Sequence, residues 1–145
     1  MIEPKYEDLP IRWAVCFLDQ CSRKDECLRY KAARTLPDGE YMAYSVVPAV
    51  LRQKKCPCFH PIEIVRTAVG FENIFRNVKA RHASSIRSDI ASFLHGNGTY
   101  YRYLHGKRRL MPEQQKWIRQ LFKDYGYTDD IEFDGYQDCL RFYDT

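Results

Sequence analysis

A chain of 145 residues has the length of one ordinary domain or two very small ones. Hydrophobic residues make up 45% and charged residues 29%, with a mean hydropathy of -0.55, so the chain can fill a core and still suit water. No apolar run reaches the roughly 18 residues that a membrane-crossing helix needs, which excludes such a span and predicts a soluble protein with no membrane partner.

The net charge of +4 is unevenly spread. Eleven Lys/Arg against four Asp/Glu leave residues 61–120 at +7, whereas two against seven leave residues 121–145 at −5. A basic middle with an acidic end either meets an anionic partner or neutralises itself within the fold. The stretch Met1-Ile2-Glu3-Pro4-Lys5-Tyr6-Glu7-Asp8 has neither the basic start nor the apolar segment of a signal peptide, which predicts a cytoplasmic location. Disulfides do not persist there, so clustered cysteines point to metal binding or catalysis.

Three cysteines fall within residues 11–34, and Leu28, Tyr30 and Ala32-Ala33 predict a short helix after Cys27. Leu36-Pro37-Asp38-Gly39-Glu40 is a turn signal. Tyr41 to Val47 favours a strand, with a helix leading into Ala49-Val50-Leu51 as the alternative, and Cys56-Pro57-Cys58-Phe59-His60-Pro61 must be a loop. Beyond it the spacing predicts helices. Phe71, Ile74, Phe75 and Val78 make a first stripe, and Ile86, Ile90, Phe93 and Leu94 make a second that Gly96 stops. Thr99 caps a short helix running to Leu104 and ended by Gly106. Pro112 opens a last helix with Ile118, Leu121, Phe122 and Tyr125 on one face before Gly126, and an acidic, aromatic arm follows. The expectation is therefore a mainly α fold. A cysteine-rich, metal-stapled N-terminal region (1–60) packs on a small basic helix-turn-helix-like bundle (61–127), and residues 128–145 form a C-terminal arm.

Cys16, Cys21 and Cys27 are spaced C-x4-C-x5-C, and Cys56 and Cys58 flank a proline just before His60. A tetrahedral Zn²⁺ needs four thiolate or imidazole ligands, commonly from two chain segments that the ion ties together. Cys16, Cys21, Cys27 and one of Cys56 or Cys58 supply them, with His60 in reserve. Four thiolates suit an iron–sulfur cluster equally. The alternatives are buried thiols packing as small hydrophobes, or a strained Cys56–Cys58 disulfide. Cys139 stands apart and reads as structural.

Thr99-Tyr100-Tyr101-Arg102-Tyr103-Leu104-His105-Gly106-Lys107-Arg108-Arg109 combines cations for phosphates with rings for stacking. The candidate nucleic-acid contacts are Tyr100, Tyr101, Arg102, Tyr103, Lys107, Arg108 and Arg109, with Arg81 and Arg87 widening the patch. The competing reading makes the tyrosines core residues and Lys107-Arg108-Arg109 a solvated loop. Thr99, Arg102, Leu104 and Gly106, then Leu110, Pro112-Glu113 and Gly126-Tyr127, give residues 90–127 a pattern that resembles the lactose-repressor-type helix-turn-helix headpiece. That resemblance implies DNA or RNA as partner. It departs from the pattern in a turn, Gly96-Asn97-Gly98, one residue shorter, and in bulky Tyr100 and Tyr101. Cys27-Leu28-Arg29-Tyr30, Tyr100-Tyr101-Arg102-Tyr103 and Pro112-Glu113-Gln114-Gln115 make the whole chain similar to a family of short bacterial proteins built on a domain of unknown function, which implies no activity.

Catalytic patterns are lacking: no phosphate-binding Gly-rich loop, no H-E-x-x-H and no G-x-S-x-G. His60, His82, His95 and His105 are scattered, and the balance leans against an enzyme. The expected function is a metal-stabilised, regulatory nucleic-acid-binding protein. The rivals are an adaptor that docks a protein through the C-terminal arm, and an iron–sulfur redox protein.

Overall fold

The computed structural model describes residues 2–142, which divide into two compact units: residues up to 64 together with the stretch from Leu140, and residues 65–139. Met1 and residues 143–145, the outermost positions of the first region and of the C-terminal arm as read from sequence, lie outside the described residues.

The first unit is mostly irregular. Among its described residues α1 (Leu28–Ala33) is the one α-helix; it sets Leu28 and Ala32 on one face, and these pack with Trp13, Val15, Ala33 and Leu140 as a small core. Trp13 Nε1 donates to the Phe142 carbonyl at 2.8 Å, tying the start of the unit to its returning end. Short 3-10 turns cover Tyr6–Asp8, Lys24–Glu26 and Pro48–Arg52. The strand expected over Tyr41–Val47 reduces to one parallel bridge, Val15 to Ser45. Tyr41, Met42, Tyr44 and Val47 are all exposed, so the segment buries no face that would hold it as a ladder.

The second unit combines strands and helices. β1 (Ile64–Val69) pairs with β2 (Gly135–Leu140). The partners Glu63–Arg141 and Thr67–Gln137 run in opposite order along the two segments, so the pairing is antiparallel. On the other edge of β1, Ala68 and Leu110 exchange both backbone hydrogen bonds at 3.0 Å. α2 (Ala80–Phe93), α3 (Asn97–Leu104) and α4 (Pro112–Asp124) follow, with α2 packing against both α3 and α4. Their core contains Phe71, Ile86, Ile90, Leu94, Tyr100 and Phe122 among its buried residues. Gln115, buried at the start of α4, donates from Nε2 to the carbonyls of Arg66 (2.9 Å) and Leu110 (3.0 Å) and so locks that helix to the strand layer.

All three helices end in the same way. The amide after each left-handed residue bonds to the carbonyl five residues back: Gly96 to Ala91, Lys107 to Arg102, and Tyr127 to Phe122. The left-handed positions are His95 (φ 68°), Gly106 (φ 77°) and Gly126 (φ 96°). Gly106 is also sterically required, because a Cβ there would lie 2.9 Å from Val69 Cγ1.

These features correct the mainly α, metal-stapled expectation. The fold is a mixed α/β one, and among the described residues no three His, Cys, Asp or Glu side chains stand close enough to hold a single metal ion. The stripe Phe71–Val78 is not a helix but a 3-10 turn, Asn73–Phe75, whose leading amides donate to the Asp134 carboxylate: Glu72 N at 2.9 Å and Asn73 N at 2.8 Å. The described part of the acidic C-terminal stretch is likewise built into the fold. Phe133 is 3% exposed, Ile131 and Tyr136 pack on the core, and β2 follows.

Candidate metal centre and basic face

Within the first unit, backbone hydrogen bonds gather the cysteine segments. Cys16 N donates to Arg29 O (3.0 Å), Cys21 N closes a turn on Leu18 O (3.2 Å), and Cys27 N closes the 3-10 turn on Lys24 O (3.3 Å). Phe59 N closes a turn on Cys56 O (3.3 Å), and Leu28 N donates to His60 O (2.7 Å) beside the bridge between Cys27 and Pro61. Proline at 57 prevents helix and leaves Cys56 and Cys58 in a tight loop.

Two arginines then tie the segments by their side chains. Arg29 Nε donates to the Cys58 carbonyl and its Nη1 to the Ala14 carbonyl, each at 2.7 Å, while its guanidinium lies over the Trp13 ring at 4.6 Å. The Arg23 guanidinium stacks on Phe59 at 3.7 Å. Neither arginine was identified from the sequence. The adjacency of Arg23-Lys24 to Cys21 and of Lys54-Lys55 to Cys56 was the visible signal.

The result is one cavity of about 300 Å³ lined by Cys16, Cys21, Cys27, Cys56 and Cys58. All are free thiols, Cys27 buried and the other four half-buried. Leu18, Val46 and Val50 supply apolar wall, and Arg23, Lys24, Lys54 and Lys55 supply positive charge. Burial pushes the Cys16 thiol above its ordinary value. A hydrogen bond with the Leu18 backbone pulls it partly back, and the neighbouring Cys27, Cys21 and Cys56 raise it again.

His60 is not among the cavity's lining residues. Its Nε2 lies 2.7 Å from the Arg141 carbonyl, which can only accept, so that nitrogen carries the proton; the ring packs edge-on against Trp13. Cys139 belongs to the second unit, with Sγ 3.6 Å from Thr67 Oγ1.

The second unit carries the basic face. Tyr101, Arg102, Lys107, Arg108 and Arg109 are exposed, Tyr101 by 56%. Tyr100 and Tyr103 are not available to bases: each is 5% exposed, Tyr100 packing edge-on against Phe71 and Tyr103 accepting from Gln114 Nε2. Their i, i+3 spacing puts both on the core side of α3. Arg108 lies over the Tyr103 ring at 5.3 Å, and Arg81 and Arg87 are exposed on α2. A three-residue turn, Leu94-His95-Gly96, joins α2 to α3.

No helix among the described residues is long and apolar enough to cross a membrane. Neither a search of curated proteins nor one of solved structures gives a match. Residues 1–142 match the Family of unknown function (DUF6078), and the chain belongs to that family.

Proposed function

We propose that this protein holds a metal centre through cysteine thiolates in its first unit and binds nucleic acid through the basic face of its second. The observation that carries the metal reading is the meeting of five thiols, from segments some forty residues apart, on one cavity with cationic walls. A thiolate centre with four cysteine ligands carries net negative charge, and Arg23, Lys24, Lys54 and Lys55 offset it. Zn²⁺ and an iron–sulfur cluster both fit that donor chemistry. Elemental analysis of freshly purified protein tests it. Metal bound near stoichiometry in the wild type, and lost when Cys16, Cys21, Cys27 and Cys56 are changed together to Ser, supports the reading. Metal-free protein that takes up neither zinc nor iron on reconstitution refutes it.

The nucleic-acid reading rests on a different observation. Four cations, Arg102, Lys107, Arg108 and Arg109, emerge together at the end of α3, exposed beside an exposed Tyr101, after a tight helix–turn–helix. Clustered cations of this kind neutralise backbone phosphates, and an adjacent ring adds stacking. The likeness of residues 90–127 to a lactose-repressor-type headpiece supports the same reading. Binding to duplex DNA and to single-stranded RNA that weakens steeply with salt is the expected outcome; no binding at low salt refutes it.

A further inference from the structure

We infer that residues 41–47 are a docking edge for a second copy of this chain. Two copies pair antiparallel along Tyr41–Val47, centred on Tyr44, and form a two-fold dimer.

The backbone leaves this edge open. Val15 N donates to the Tyr44 carbonyl and Val46 N donates to the Val15 carbonyl, each at 2.9 Å. Those bonds use the even-numbered residues of the segment, and in an extended chain the residues between them turn their N–H and C=O the opposite way. Ala43 and Ser45 therefore aim theirs outward, where among the described residues no backbone hydrogen bond meets them. The segment runs from Tyr41 to Val47 without turn or helix. It has neither the charge nor the proline that keeps a free edge from pairing.

The side chains fit a second copy. Tyr41 is 92% exposed and Met42 87%, and Tyr44 and Val47 are exposed as well. Outward-facing groups must pair odd-numbered residues with odd-numbered ones. The register that lays the whole segment on itself sets Ala43 against Ser45, and Tyr41 against Val47, of the second copy. Tyr44 then meets its own equivalent at the closely spaced, non-hydrogen-bonded position, and Met42 meets Val46. Each large apolar side chain of the segment thus finds an apolar one across the pair, and aromatic–aromatic and aromatic–β-branched contacts are among the favourable ones.

Charge selects the direction. Asp38 and Glu40 precede the segment, and Arg52, Lys54 and Lys55 are the first charges after it. An antiparallel pair brings the acidic end of each copy to the basic end of the other, whereas a parallel pair sets like charges together. A patch that is self-complementary in this way closes the assembly at two copies.

Sedimentation of the full chain at about 100 μM, far above a micromolar dissociation constant, tests the inference. The expected mass is twice the 17.3 kDa of one chain. Tyr44→Lys and Tyr44→Glu, at an exposed position, each place two like charges face to face and should sediment alone as monomers. Mixed in equal amounts they should form a heterodimer. A wild-type monomer, or an assembly larger than two, overturns the inference. So does a dimer that survives in Tyr44→Lys, or a mixture that stays monomeric. Should a variant fail to fold, hydrogen exchange on the wild type decides: the Ala43 and Ser45 amides should exchange more slowly as protein concentration rises, and exchange that ignores concentration overturns the pairing.

Discussion

Arg29 Nε donates to the Cys58 carbonyl at 2.7 Å, and the same guanidinium reaches the Ala14 carbonyl, two residues before Cys16, at 2.7 Å. One side chain on α1 thus holds both cysteine-bearing segments, and the planar fork of arginine makes both bonds at once. Lysine keeps the charge but cannot reproduce that geometry. Arg29→Lys should lose at least one charge-assisted hydrogen bond, about 1.5–3 kcal/mol, and raise the rate at which a chelator strips the metal. Urea unfolding and chelator-release kinetics check it; wild-type values in both would show that the clamp does not position the cysteines.

Helix endings give a prediction of opposite signs at equivalent positions. His95 adopts a left-handed conformation where Gly106 and Gly126 do so without a Cβ. His95→Gly should stabilise the second unit by about 1 kcal/mol, because the left-handed penalty of a side chain disappears. Gly106→Ala should destabilise it by about 1–2 kcal/mol from the backbone alone, and by more from the 2.9 Å approach to Val69. Thermal unfolding reads both, and a loss of stability in His95→Gly would contradict the argument.

For nucleic acid the buried and exposed tyrosines should separate. Replacing Arg102, Lys107, Arg108 and Arg109 with Glu should abolish binding at low salt. Removing single cations should lower the slope of log affinity against log salt by about 0.9 each on duplex DNA. Tyr101→Ala should weaken single-strand binding by about 1–3 kcal/mol if its ring stacks on a base. Tyr100→Phe and Tyr103→Phe should leave affinity unchanged, because both rings face the core. Fluorescence anisotropy distinguishes these variants; equal losses at Tyr100 and Tyr101 would contradict the division.

The parts legible in the sequence were those decided locally. Ile86 and Ile90 on α2 with Leu94 just past its end, and Ile118 and Phe122 on α4, repeat at helical spacing and are all buried. The glycines at 96, 106 and 126 mark the helix ends where they occur, although at the first of these His95 takes the left-handed residue ahead of Gly96. The sheet was illegible because its partners lie some seventy residues apart. β2 includes Gln137 and Asp138 and shows no clean alternation, so nothing in its own sequence announces a ladder. Ile64–Val69 does contain the β-branched run of a strand, but the helical-looking stripe at Phe71–Val78 concealed it. The cysteine density of residues 16–58 is plain in the sequence and those five thiols line one cavity, whereas the arginines that tie their segments together could not be identified without knowing which carbonyls they meet. Tyr100 and Tyr103 were misread because an aromatic face serves core packing and base stacking equally well in sequence.

X-ray absorption at the edge of the bound metal tests the central claim most directly, since it reports the atoms around the metal whatever the metal is. The account predicts a first shell of sulfur alone, at about 2.3 Å. A shell dominated by nitrogen or oxygen, or no metal above background in the pure protein, would contradict it.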